Sequence, residues 1–522
     1  MDFDLLLKNG WIVDGVEQKR YQGDIAVIGD TIVAMGEIAS DSAKQIIDVQ
    51  GSFICPGLID VHSHSDISLL ANGRAQGKIA QGITTEILGN CGYSPFPLNQ
   101  DEASRTARRK QLNFIDVEQI PWSWSTFEEY KTRLQQAEPS VNIGLLLGYG
   151  SARSYVVGNK EKLSAKEQSA ILSIVEDILE QGALGVSTGL AYPPDCFSSF
   201  DELVQVGKIV AHHKKVFAFH IRSDRKGLMD SIEEATEIGR LTGASVQISH
   251  IKAPSVINHG RSVEMLRLLQ KYQKEGVDIT ADCYPYTAGS TTLSILFPKS
   301  LLRYSPDQLY RELKVDSFLQ DAVEKLASDS GILYESNGEN IVISSSFSHP
   351  EYVGKNLAQI ACEKGRNLAE TVLYLFVEDF GKTEIIIHAQ DPKDLMNFLE
   401  SEDCFIGTDG IALNEDDGIR LAPHPRYFGT FPQVFEMLGA ERVELFVKKA
   451  CVFPSRKFHL ERRGVLQCGN IADIAVLSPH QYGTQASFRS PKKYAQGVEW
   501  VIVNGKVSYQ NCQVIAANGK IL

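Results

Sequence analysis

Leu58-Ile59-Asp60-Val61-His62-Ser63-His64 closes an apolar run that begins at Phe53. Side chains alternate faces along an extended strand, so residues i and i+2 project the same way. His62 and His64 then leave one strand end together, which is how a divalent metal is gripped by imidazoles. Pro56 and Gly57 punctuate the run. Histidine pairs of this spacing also arise by chance on surfaces, so the weight of the reading depends on what surrounds it.

Downstream, the chain alternates strand and helix. Apolar segments at 58–62, 84–89, 141–147, 184–187, 216–220, 245–250, 277–282 and 404–408 are separated by helical patterns. One of these opens at the capping box Ser164-Ala165-Lys166-Glu167 and buries Ile171, Ile174, Val175, Ile178 and Leu179 at helical spacing. Eight apolar strands interleaved with helices predict a parallel (β/α)8 barrel of the TIM type. The stretch from Tyr286 to Thr408 is too long for one βα connection, so an insertion is expected within about 292–403. Both termini instead read as short strands with glycine turns, including the hairpin turn Asn504-Gly505. The expected organisation is a small β-sandwich built from 1–54 and 465–522, bracketing a distorted barrel at 55–464.

The 522 residues carry a net charge of -13, with 43% hydrophobic and 22% charged residues, the balance of an ordinary soluble globular protein. The acidic balance and the absence of a Lys/Arg block argue against nucleic-acid partners. No apolar stretch reaches the length of a membrane span, and the first residues carry no leader pattern. Nine cysteines without framework spacing fit reduced thiols, hence a cytoplasmic location.

Barrel enzymes gather their chemistry at the C-terminal ends of strands. Here His62, His64, Cys91, His220, His250 and Asp409 all fall there, contributed by five strands. Singly each has an ordinary explanation: a satisfied polar histidine, a buried thiol, an aspartate in a turn. Jointly they make an inventory of imidazoles and a thiolate suited to Zn²⁺. His212, His213, His259 and His459 lack this context and read as surface or packing residues.

The pattern resembles the amidohydrolase superfamily and, within it, the N-acyl-D-amino-acid deacylases (D-aminoacylases). The resemblance runs through 56–66, Gly89-Asn90-Cys91-Gly92, 185–194, His220-Ile221-Arg222, His250-Ile251-Lys252, 284–291, Thr408-Asp409-Gly410 and His424-Pro425-Arg426. It implies zinc-dependent hydrolysis of a linear N-acyl-D-amino acid to a carboxylate and a free D-amino acid. Relatives such as hydantoinases and dihydroorotases bridge two metals with a lysine on the fourth strand, and 184–190 contains none. By resemblance, Cys91, His220 and His250 would hold one tight zinc, His62 and His64 a weaker second ion or a partly vestigial site, and Asp409 would be the general acid/base. Lys252, Arg426, Tyr284 and Ser290 would receive the substrate carboxylate, with Tyr192 and Phe96 lining the pocket and Arg222 in a structural role beside His220. Asp416 or Asp417 is an alternative partner for Arg426. Members acting on acidic side chains carry an arginine shortly after the Ala-Gly-Ser-Thr stretch. Leu296-Phe297-Pro298-Lys299 stands there instead, which favours neutral or apolar side chains. The competing expectations are a cyclic-amide or dipeptide hydrolase on the same frame, and a catalytically silent assembly barrel.

Overall fold

Gly57 divides the apolar run into two strands that belong to different sheets. Phe53–Pro56 pairs antiparallel with Ile474–Leu477, while Leu58–Asp60 pairs in parallel with Ile83–Leu88. A side chain at Gly57 would meet Thr84 Oγ1 at 2.1 Å, so the crossing needs glycine. The apolar run from Phe53 thus serves two sheets, with the barrel strand beginning at Leu58 as its segment predicts. The computed structural model describes residues 2–17, 19–39, 42–112, 117, 120–329, 331–415 and 423–522.

The barrel is an eight-stranded parallel sheet of Leu58–Asp60, Ile83–Leu88, Asn142–Gly148, Gly185–Gly189, Val216–His220, Ser245–Ile248, Ile279–Cys283 and Cys404–Ile406. Each lies where an apolar segment predicts it, because strands buried on both faces read as near-continuous hydrophobic runs. The helix Ala165–Glu180 starts at the Ser164/Glu167 capping box and buries Ile171, Val175, Ile178 and Leu179. First and last strands close through a parallel bridge between Ser63 and Gly410 and through Asp409 N–H donating to His62 O at 2.7 Å.

A buried ammonium locks that seam. Lys78 Nζ lies 2.8 Å from Asp60, 3.2 Å from Glu86 and 2.7 Å from Thr408 Oγ1. Three strand ends are thereby tied to one charge whose partners are themselves buried.

Phe3–Ile12, Tyr21–Ile28, Thr31–Gly36 and Ala43–Asp48 join Phe53–Pro56 and the C-terminal strands in a nine-stranded sheet. The long first strand is irregular between Leu7 and Gly10, so its halves serve different neighbours around one core of Leu5, Leu7, Ile25, Val27, Ile54, Ile474 and Ile502. Between the seventh and eighth barrel strands, Ala288–Thr292, Ile341–Ser345 and Glu384–His388 form a three-stranded antiparallel sheet. Helices around it supply a separate core that includes Phe297, Leu301, Leu309, Ile332 and Phe376.

Candidate functional site

Three site residues share an uncommon backbone. Cys91, His250 and Asp409 have φ of 54°, 37° and 46°, in the left-handed region that non-glycine residues avoid. Each such residue costs on the order of 1–3 kcal/mol, and such strain persists where the surroundings over-determine it, often at functional sites. All three follow barrel strands, where a left-handed turn swings the side chain back over the barrel mouth. At Gly407 an added Cβ would meet His62 Cβ at 2.6 Å, so the eighth strand can approach the first histidine only without a side chain there.

The six predicted residues converge. His62 Nε2 is 3.3 Å from Cys91 Sγ, which is 3.6 Å from His250 Nε2, and that nitrogen is 2.8 Å from His220 Nδ1. Asp409 Oδ1 stands 3.5 Å from His62 Nε2 and 3.2 Å from His64 Nε2. Two overlapping donor sets result, His62/Cys91/His250 and His62/His64/Asp409, each with its ligand atoms within 4.8 Å of one another. His62 is common to both sets.

The charge state of this cluster fits a cation. Burial pushes the Cys91 thiol up, but the imidazoles of His62 and His250 outweigh it and hold the group well below an ordinary thiol. Burial likewise opposes ionisation of Asp409, and Arg426, His62 and His64 overcome it, keeping the carboxylate anionic. Against burial, Asp282, Cys91 and Asp409 draw a proton onto His62, and Asp409 and Cys91 raise His64 to about 9. Those protons balance a thiolate and two carboxylates that a divalent ion balances when it displaces them. Imidazole, thiolate and carboxylate together form a donor set for zinc. Burial and the neighbouring Lys252 push His250 down to about 4, which leaves it in the neutral form that ligation requires.

Asp282, which sequence reasoning missed, holds two of these histidines. Its Oδ1 accepts from His62 Nδ1 at 3.0 Å and from the His250 backbone N–H at 2.8 Å, and its Oδ2 accepts from Gln247 Nε2 at 3.0 Å. The first contact leaves His62 Nε2 facing Cys91 and Asp409. Its position carries the signal: Asp282 lies near the C-terminal end of the seventh apolar strand, as the other site residues lie at the ends of theirs.

The expected substrate-side residues surround the cluster, already engaged. Arg426, at the start of the helix Arg426–Leu438, places Nη1 3.0 Å from Asp409 Oδ2 and donates through Nη2 to Ser290 O at 3.3 Å. Its guanidinium carbon is 4.8 Å from the centroid of Tyr284, and its buried Nε–H has no hydrogen-bond partner among the described residues. Asp416 and Asp417 lie outside the described residues. His424 sets the backbone of this turn, accepting from Arg426 N and reaching Ala288 O at 2.9 Å. Lys252 Nζ lies 3.2 Å from His250 Nδ1 and 3.3 Å from Asp224. Tyr192 stacks edge-on against His220 with centroids 4.8 Å apart and bonds Thr291 Oγ1 at 2.8 Å. Arg222 spans Glu234 and the carbonyls of Cys196 and Ser198, bracing the loop below Tyr192. Phe96 does not line the pocket; it is buried against Phe127 and Tyr130.

A cavity of about 1380 Å³ opens over this cluster, bounded by His64, Cys91, His220, His250, Lys252 and Asp409 at one end and by the insertion at the other. No described helix is long and apolar enough to cross a membrane.

The amidohydrolase family pattern matches residues 45–210. The chain is similar to the D-aminoacylase of Alcaligenes xylosoxydans xylosoxydans, at 30% identity over 97% of this chain and 95% of that protein. It superposes with a TM-score of 0.82 on a D-aminoacylase structure described for its binuclear metal centre, with one-metal activation and second-metal attenuation, at 30% identity over 100% of this chain and 99% of the other. It superposes equally, with a TM-score of 0.82 at 28% identity over the full length of both chains, on an N-acyl-D-glutamate deacylase from Bordetella bronchiseptica. That structure contains zinc and a phosphonate inhibitor that mimics the tetrahedral intermediate.

Proposed function

The chain belongs to the D-aminoacylase family of the amidohydrolases, and from that premise we propose that it hydrolyses N-acyl-D-amino acids to a carboxylate and a free D-amino acid, with zinc as cofactor. The observation that carries the reading is the thiolate of Cys91 at the centre of a histidine cluster, combined with the absence of any lysine on the fourth barrel strand, Gly185–Gly189. That combination separates this site from the lysine-bridged cyclic-amide hydrolases.

In this reading Cys91, His220 and His250 would hold one ion tightly, and His62 and His64 would contribute a weaker second site that shares the cluster. Bound zinc supplies a Lewis acid for the scissile carbonyl and lowers the pKa of water toward neutrality. Asp409 is the general acid/base. Its Oδ1 faces the histidines where the nucleophilic water must stand; it takes that water's proton and returns it to the departing nitrogen. Arg426 holds Oδ2 of Asp409 in the free protein. A substrate α-carboxylate engaging the unpaired Nε–H of Arg426 takes a share of that guanidinium. Its pull on Asp409 then weakens, and the aspartate becomes a better base as substrate binds. Lys252 adds a second cation, while Tyr284, Ser290 and Tyr192 shape the walls. Asp282 keeps the His62 ring oriented and its Nδ1 occupied.

Lys299 turns away over the ring of Phe197, 5.6 Å from its centroid, which supports a neutral or apolar side chain. The nine unpaired cysteines support a reducing, cytoplasmic setting.

The test is the zinc-loaded protein on paired N-acetyl-D- and N-acetyl-L-methionine, -leucine and -glutamate. Release of the D-amino acid alone, from methionine and leucine above glutamate, is the expected result. Release from neither enantiomer with zinc bound would transfer the site to a cyclic or dipeptidic amide.

A further inference from the structure

The cavity is far larger than an N-acetyl amino acid. A ligand of about twelve non-hydrogen atoms, such as N-acetyl-leucine, fills roughly 360 Å³ even at the ~30 Å³ share of a liquid water molecule per atom. Of about 1380 Å³, on the order of 1,000 Å³ is left over.

The surplus space has a definite wall. The strand Ala288–Thr292 leaves the barrel mouth with Ser290 O bonded to Arg426 and Thr291 bonded to Tyr192. It runs directly into the short helices Leu293–Leu296 and Lys299–Leu302. From there Ile295, Phe297, Leu301, Leu302, Leu309 and Phe376 line the same cavity as Cys91 and Asp409. Phe297, Leu301, Leu309 and Phe376 belong at the same time to the insertion's hydrophobic core, so this wall is fixed by packing. Charged residues of the insertion, Arg303, Arg311, Lys382 and Glu384, line the cavity beside these apolar groups, and Lys110 of the helix Glu102–Gln111 pairs with Asp307 of the insertion at 2.9 Å. An apolar wall in the same cavity as a hydrolytic centre, with charged groups beside it, is the setting of an aliphatic ligand arm.

Two arms of the substrate could enter it. The largest coded side chain has about ten non-hydrogen atoms and fills roughly 300 Å³ on the same scale, which leaves most of the surplus empty. An acyl group has no such ceiling.

We infer that the preferred substrate carries a medium or long aliphatic acyl chain on its nitrogen, lying along the insertion wall from Ile295 to Phe376. This rests on the deacylase reading, which makes the chain a fatty acid product rather than acetate. The insertion then acts as the acyl receptor and not only as a cover for the barrel.

The experiment is a kcat/KM series on the zinc-loaded protein with acetyl, butanoyl, octanoyl and dodecanoyl D-leucine. Alongside it run N-acetyl-D-2-aminododecanoate, which places the same chain on Cα, and dodecanoate binding by calorimetry. Each methylene moved from water to this wall should raise kcat/KM up to about fourfold until the wall is filled. Leu302→Glu, at a half-buried wall position, should cut the dodecanoyl-to-acetyl ratio at least tenfold and weaken dodecanoate binding. Ile295→Glu should do the same, so that one misfolded variant does not decide the matter. A flat or falling series with acetyl-D-leucine hydrolysed overturns the inference, as does a gain confined to the Cα chain. If no amide is cleaved yet dodecanoate binds and Leu302→Glu abolishes binding, the aliphatic site stands and the deacylase reading fails.

Discussion

Asp282→Asn separates the charge behind His62 from its shape. The aspartate takes three donors: His62 Nδ1 and the His250 backbone N–H on Oδ1, and Gln247 Nε2 on Oδ2. Asparagine can keep one oxygen on the first two. Its amino group then faces Gln247, whose Oε1 is already engaged by Thr280 Oγ1. A hydrogen bond to a charged acceptor contributes about 1.5–3 kcal/mol against about 1 for a neutral one. Losing the charge therefore removes roughly 0.5–2 kcal/mol at His62, before any repositioning of Gln247. Partners of this kind behind metal-binding histidines typically carry 10- to 100-fold in affinity or activity. Zinc affinity, measured by competition with a chelator of known strength, is expected to fall in that range. Excess zinc should restore part of kcat/KM, because the ligands remain while their orientation loosens, and thermal unfolding should show the fold intact. Zinc affinity within threefold of the parent, with unchanged kcat/KM, would refute the claim that Asp282 positions His62.

Asp409→Asn should keep zinc, read by metal analysis, and lose turnover by about 10²- to 10⁴-fold, the usual weight of a general acid/base; retained turnover removes it from that role. Cys91→Ala should lose the tight zinc on dialysis, and full retention would assign the ion to the imidazoles alone. Lys78→Met strands the buried carboxylates of Asp60 and Glu86. It should cost about 3–5 kcal/mol in urea unfolding; a loss below 1 would mean the seam does not need the charge. Asp195 supplies a pH test. Burial raises its carboxyl from 3.8 to about 7, against donation from Gly189 N and Thr188, and its Oδ1 has no partner among the described residues. The folded state then holds this proton more tightly than the unfolded one, so stability should fall as pH rises from about 4 to 7, by at most about 4 kcal/mol. Asp195→Asn should flatten that fall in unfolding curves taken at pH 4.5 and 8; an unchanged slope would place the ionisation elsewhere.

What could be read from the chain divides along a physical line. The eight barrel strands were legible because parallel strands covered on both faces must be apolar throughout, and their chemistry was legible because it ends those strands. Gly57 was not, since a sheet-to-sheet crossing and a turn use the same residue. Nothing in the sequence around Lys78 marks it as buried; only the folded seam reveals the two carboxylates that hold it. The strand Ala288–Thr292 is too polar to announce itself. Arg426 shows the limit most clearly. An arginine in this motif reads as a receptor for the substrate carboxylate, yet in the folded chain it is paired with Asp409. Both statements hold if the guanidinium is shared, and the sharing couples carboxylate binding to the basicity of Asp409. Arg426→Lys, with a point charge in place of a planar fork, can serve one partner but not both. It should therefore raise KM and also lower kcat, with the pH dependence of kcat displaced. A rise in KM alone would mean that Arg426 binds substrate without tuning the base.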